Sequence, residues 1–215
     1  MRQGLFMLLC FCSLFAKAQV WGDIQVMYDY GHNFGTLTTE IGHTDKHGNS
    51  YGFVDFDFGA KESNGMYLEY GYNLHIAKNF FGRAEYNGGL LFEKGFAHGT
   101  YAHGALLGGA YQKKIKKTFL ELQLMYRMDV DYNARNTGHG LQGTGVWNTT
   151  FLKDKVYFGG YVDLNYKGTL KKFEFGSEIQ LLYCFREFGA GVKVELENWS
   201  GEVSAHPKMM LKINL

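Results

Sequence analysis

Leu120-Glu121-Leu122-Gln123-Leu124-Met125-Tyr126-Arg127-Met128-Asp129 alternates apolar and polar side chains almost without a break. In an extended strand Leu120, Leu122, Leu124, Tyr126 and Met128 share one face, and Glu121, Gln123, Met125, Arg127 and Asp129 share the other. The first face is free of charge and fits hydrocarbon. The second carries acids, a base and an amide, which a dry sandwich core does not accept. Slipping this strand by one residue would turn Glu121, Arg127 and Asp129 into lipid, at about 2–4 kcal/mol for a basic residue at the bilayer midplane. The stretch reads as a membrane-crossing β-strand with a fixed register.

The same period recurs along the chain. Val156, Phe158, Gly160, Val162 and Leu164 oppose Tyr157, Gly159, Tyr161, Asp163 and Asn165, and Phe188 to Glu197 repeats the pattern with Lys193, Glu195 and Glu197 on its polar side. Asp23 to Tyr30, Met66 to His75 and Lys208 to Leu215 agree, with weaker candidates near 35–44, 52–59, 81–92, 100–111, 141–152 and 172–184. Together they predict an all-β protein, a transmembrane antiparallel up-and-down β-barrel of about 12 strands with roughly 16 residues per strand and connection.

An even strand number places both termini on the periplasmic side. Ile76 to Asn79, Gln112 to Lys117, Leu152 to Lys155 and Phe185 to Glu187 are then inner turns. Glu93 to Gly99, Val130 to Gly140, Lys167 to Lys171 and Asn198 to His206 are outer loops. The connection His43 to Ser50 falls on the inner side but is long and polar for a turn, which argues for a different placement of the first hairpin.

Composition points the same way. There are 15 Tyr, 18 Phe and 29 Gly but 1 Pro, Pro207, and proline removes ladder hydrogen bonds whereas aromatics suit pleated surfaces. Trp21, Tyr30, Phe80-Phe81, Tyr111, Trp147, Phe188 and Trp199 near strand ends read as interfacial girdles.

Residues 1–18 read as a cleavable export signal: a basic Met1-Arg2 start, an apolar Leu5 to Phe15, and Ala16-Lys17-Ala18 for cleavage. The single barrel domain is then 19–215. Cys10 and Cys12 leave with the signal, so Cys184 stands alone and no intramolecular disulfide forms. Without Arg2 and Lys17 the 22 basic residues become 20 against 21 acidic ones, a balance that argues against nucleic acid as a partner. The expected location is the outer membrane of a Gram-negative-type bacterium, with its lipid as partner.

Thr38-Thr39-Glu40-Ile41-Gly42-His43 followed by Tyr51-Gly52-Phe53-Val54-Asp55 resembles the Tsx-like family of nucleoside-specific channel-forming outer-membrane proteins. Tyr67-Leu68-Glu69-Tyr70, Leu124-Met125-Tyr126-Arg127, Gly145-Val146-Trp147, Gly160-Tyr161-Val162-Asp163 and Gly191-Val192-Lys193-Val194-Glu195 with Asn198-Trp199 keep that family's order. The chain departs from it after Tyr51-Gly52, where the family's Gly-Asp pair and following aromatics are missing, and at Leu215, where an aromatic is usual. The resemblance implies a twelve-stranded monomeric barrel whose narrow lumen passes nucleosides.

Passive selection of nucleosides needs aromatic faces to stack the base and polar groups to meet the sugar hydroxyls, because an unpaired hydroxyl in a desiccated constriction costs about 1–3 kcal/mol. Tyr51, Phe53, Tyr67, Tyr157 and Tyr161 supply faces, and Asp55, Asp57, Glu69, Arg127 and Asp163 supply polar groups. The competing reading is that these residues fill and neutralise the lumen, leaving a plugged structural or adhesive barrel. An outer-membrane lipid hydrolase is the third reading: Ser204 and His206 share a face, but in a predicted outer loop without an evident acid, and Ser177 points to lipid.

No cofactor is expected. Gly88-Gly89 and Gly108-Gly109 read as strand positions of close approach and not as phosphate loops. Asp55 with Asp57, and Asp129 with Asp131 near the start of an outer loop, could bridge a hard cation such as calcium, but the signal is weak and no metal site is assigned. His43/His47 and His98/His103 read as solvated residues.

Overall fold

A computed structural model describes residues 19–31, 33–59, 64–93, 96–130, 137–167, 172–198 and 201–215, with the side chains at 93, 96–102 and 167 outside the description. The predicted export signal, Trp199, Asp131 and parts of the outer loops also lie outside the described residues.

Twelve strands follow one another: β1 Gln19–Asp29, β2 Phe34–Thr44, β3 Gly48–Phe58, β4 Asn64–Ala77, β5 Phe80–Glu93, β6 Phe96–Ile115, β7 Thr118–Val130, β8 Thr137–Phe151, β9 Val156–Lys167, β10 Lys172–Phe185, β11 Phe188–Glu197 and β12 Ser204–Asn214. Each pairs antiparallel with its sequence neighbour, and β1 pairs with β12 from Asp23↔Asn214 to Asp29↔Lys208, so the sheet closes into a barrel with no free edge.

Burial is inverted relative to a water-soluble protein. On β7, Leu122 and Leu124 are 63% and 67% exposed, whereas Met125 is 0% exposed and Glu121, Gln123, Arg127 and Asp129 are buried beside it. Leu107, Leu164, Met209 and Leu211 likewise stand exposed on the outer surface while Asp23, Gln25, Arg83 and Lys193 are buried. Water would favour the opposite arrangement, and hydrocarbon favours this one. The core of the molecule is the polar lumen, with a small apolar cluster of Met27, Leu182 and Met210 against Tyr157 and Cys184.

The first hairpin sits where the alternation put it, despite the polar connection His43 to Ser50. That segment is mostly strand: Thr44 pairs with Asn49, and Asp45 closes the turn by accepting the backbone N–H of His47 at 2.7 Å and of Gly48 at 3.1 Å. These two bonds, that to His47 the stronger influence, hold the exposed Asp45 carboxyl below the usual aspartate range. Lys117 in the β6–β7 turn is tied to the wider β8–β9 turn, its Nζ 2.7 Å from Asp154 Oδ1.

The strands also run further outward than the alternation indicates. β6 begins at Phe96 inside the predicted loop Glu93 to Gly99, and β12 begins at Ser204 inside the predicted loop Asn198 to His206. Proline is tolerated there because the β1 ladder stops at Asp29↔Lys208. Pro207 uses its carbonyl to accept Tyr30 N at 3.2 Å, and its missing N–H falls on the side where the ladder has ended.

Candidate functional site

The inward side chains sort into two buried ion-paired flanks and a partly accessible wall between them. In the first flank Arg83 donates from Nε and Nη2 to Glu85 Oε2 at 3.0 and 2.5 Å and from Nη1 to Asn73 Oδ1 at 3.2 Å. Arg127 donates from Nε to both oxygens of Asp129 at 2.9 and 3.1 Å, and from Nη1 to Gln142 Oε1 at 2.5 Å and Asn165 Oδ1 at 3.4 Å. Small inward residues of β6 make room for these guanidinium groups: a Cβ on Gly104 would lie 3.1 Å from Arg127 Nη2.

The second flank straddles the seam. Lys212 Nζ is 2.6 Å from Asp23 Oδ2 and 3.9 Å from Glu40 Oε2, Lys208 Nζ is 2.7 Å from Glu195 Oε2 and 3.5 Å from Asp29 Oδ2, and Lys193 Nζ is 2.7 Å from Glu178 Oε2. Desolvated charges must be paired, and here each ammonium meets at least one carboxylate.

Between the flanks lie Tyr51, Phe53, Asp55 and Asp57 on β3, Tyr67 and Glu69 on β4, and Tyr161 and Asp163 on β9, all half-buried. Trp21, Tyr51, Phe53 and Tyr67 form a row of rings with successive centroid separations of 6.0, 6.2 and 6.0 Å. Their carboxylate neighbours are held by hydroxyls: Thr38 Oγ1 donates to Asp55 at 2.5 Å, Thr36 to Asp57 at 2.8 Å and Thr144 to Asp163 at 2.5 Å. The arrangement presents flat apolar faces beside negative acceptors.

Of the sequence-derived candidates, the structure brings Tyr51, Phe53, Asp55, Asp57, Tyr67, Glu69, Tyr161 and Asp163 to this wall, whereas Tyr157 packs against the Met27, Leu182 and Met210 cluster with Lys212 Nζ 5.9 Å from its ring centroid, and Arg127, 6% exposed, is engaged with Asp129, Gln142 and Asn165 in the first flank. Sequence reasoning set Trp21 in an interfacial girdle, but it lies over inward-facing Gly42 and stacks on Tyr51. Its parity with Asp23 and Gln25 was the available signal. Glu40, which hydrogen-bonds the Tyr51 hydroxyl, was also missed.

Ser204 and His206 are on a strand and not in a loop, and they do have an acid nearby. His206 Nε2 is 2.9 Å from Ser204 Oγ and 3.4 Å from Glu197 Oε1. Both contacts use one ring nitrogen, whereas a nucleophile relay puts the hydroxyl and the acid on opposite nitrogens. Ser177 faces outward and donates to the Tyr161 carbonyl at 2.9 Å. Among the described residues no cluster of three or more His, Cys, Asp or Glu side chains could hold a metal ion.

A family model described as a domain of unknown function, DUF5020, matches residues 21–200. The chain belongs to this family. No curated protein is significantly similar to it. Among solved structures, the DUF5020 barrel is similar to a KdgM porin in complex with disordered oligogalacturonate, at TM-score 0.53 and 16% identity over 91% of this chain and 98% of that one. It is also similar to the NanC porin, at TM-score 0.58 and 11% identity over 89% and 98% of the two chains. At these identities the likeness is one of fold: a porin-type barrel.

Proposed function

We propose that the chain is an outer-membrane channel through which small polar solutes, nucleosides foremost, diffuse passively as monomeric pores, after export directed by residues 1–18. One observation carries this reading. The long charged side chains are folded into two paired flanks, while the Tyr51, Phe53, Tyr67 and Tyr161 rings and their acids stay partly accessible. A barrel filled for stability alone has no need to keep that division. Rings of this kind stack a nucleobase, and Asp55, Glu69 and Asp163 accept hydrogen bonds from ribose hydroxyls.

The Tsx-like resemblance supports nucleosides, and the porin-type fold supports a channel over an enzyme. The ligand of the KdgM complex is a chain of carboxylates, which an acid-bearing wall disfavours. The test is entry of labelled adenosine into proteoliposomes. Uptake faster than that of a disaccharide, and reduced by Phe53→Ala with Asp55→Ala, supports the reading. Uptake equal to that of protein-free vesicles overturns it.

A further inference from the structure

The charge on the lumen wall is not balanced where the wall is accessible. Arg83, Arg127, Lys193, Lys208 and Lys212 are the cations of the two flanks, and each lies within hydrogen-bond distance of a carboxylate. Three of them are outnumbered. Arg83 faces Glu85 and also Glu121 at 3.7 Å, Lys208 faces Glu195 and Asp29, and Lys212 faces Asp23 and Glu40. Among the described residues, pairing therefore leaves the acids of the flanks in excess, and each of these five cations is already bonded to a flank carboxylate.

The wall acids have neutral partners. Asp55, Asp57 and Asp163 are each held by a threonine hydroxyl. The cations whose fields reach these acids are Lys193 at Asp55, Lys208 at Asp57, and Arg127 and Arg83 at Asp163, and each is itself bonded to another carboxylate. A hydroxyl orients a carboxylate without cancelling its charge, so these groups keep a negative potential in the space beside them.

A second observation is independent of that balance. Buried side-chain atoms without a hydrogen-bond partner in the lumen include Gln25 Oε1, Glu85 Oε1 and Gln123 Oε1, all acceptors. What they lack is a donor or a cation, and leaving such atoms bare is costly. The basic residues of the inner turns, among them Lys78, Lys116, Lys153 and Arg186, do not reverse this. They sit on the turns beyond the strand ends, and at physiological ionic strength charges are screened over about 8 Å.

We infer that the lumen selects cations and neutral hydrogen-bond donors and turns anions away. This deepens the channel reading and rests on it. Carboxylate-lined constrictions with low-dielectric walls concentrate counter-ions, and aromatic faces add cation–π attraction for organic cations.

The experiment is the zero-current potential of the purified full-length protein in planar bilayers under a KCl gradient. The sign should report potassium permeation, with potassium favoured over chloride by about tenfold, the lower end of enrichment in a one-sign cleft. Asp55→Asn with Asp57→Asn and Asp163→Asn keeps an acceptor for each threonine and should bring the ratio near unity while current persists. A chloride preference in the wild type, which needs no variant to fold, overturns the inference and leaves the channel reading standing, as does an unchanged ratio in the variant. Absence of any current overturns both.

Discussion

Lys212 Nζ lies 2.6 Å from Asp23 Oδ2, a contact that joins the last strand to the first at the barrel seam. The ladder there is short, from Asp23↔Asn214 to Asp29↔Lys208, and Lys208 adds a second tie to Asp29 at 3.5 Å. Closure of a barrel removes both of its edges at once, so this seam carries more than its share of the fold. Removing one partner strands a buried carboxylate. Lys212→Met is expected to lower stability by about 3 kcal/mol, and Lys212→Met with Asp23→Asn to recover part of it. Urea titration of the folded band on unheated gels measures both. A neutral single variant would show that the seam does not depend on the pair.

Leu124 marks the middle of the outer face of β7 at 67% exposed. Leu124→Arg places a cation in hydrocarbon and should cost about 2–4 kcal/mol of folding into lipid vesicles, with Leu124→Met close to neutral. Equal folded yields for Arg and Met would contradict the outward assignment.

Trp21 lies across Gly42 with its ring in the place a Cβ would take. Gly42→Ala must therefore push the indole off the sheet and away from Tyr51, now 6.0 Å distant. A change in tryptophan emission together with altered conductance is expected, since the row of rings begins there. Unchanged emission and conductance would detach Trp21 from the pathway.

Asp45 offers a pH-dependent check on the first hairpin. Its carboxyl is held low by the His47 and Gly48 amides, so its contribution is complete above the unfolded value of 3.8 and is lost as pH falls through the lower folded value. Hydrogen exchange at His47 and Gly48 should be faster in Asp45→Ala than in wild type at neutral pH. The difference should vanish under strong acid. A difference that persists there would assign the turn to something other than the carboxylate.

Much of this was legible in the sequence, and the exceptions have physical causes. Leu120 to Asp129 gave its register because one face holds no charge and the other holds three. The end of β2 and start of β3 were obscure because Thr44↔Asn49 is the last pair of the ladder beside the Asp45 turn, and the short polar run there shows no alternation of apolar and polar side chains. Ser204 to Pro207 looked like loop because proline and a short polar run ordinarily end strands, and only the shorter β1 ladder explains their pairing.

The division of the lumen could not be read in advance. Acid and amide two residues apart, as in Asp23/Gln25, Glu121/Gln123 and Glu178/Gln180, bond along their own strand and leave a trace in sequence. Which carboxylate meets Lys193 or Lys212 depends on the stagger between strands, a quantity the alternation of a single strand does not contain.

Single-channel recording of the purified protein in planar bilayers, with adenosine added during the recording, bears most directly on the claim that a partly open, aromatic and acid-lined passage runs through this barrel. Discrete current steps that adenosine reduces are expected. A membrane that contains the folded protein yet stays silent would contradict it, and would identify the barrel as filled.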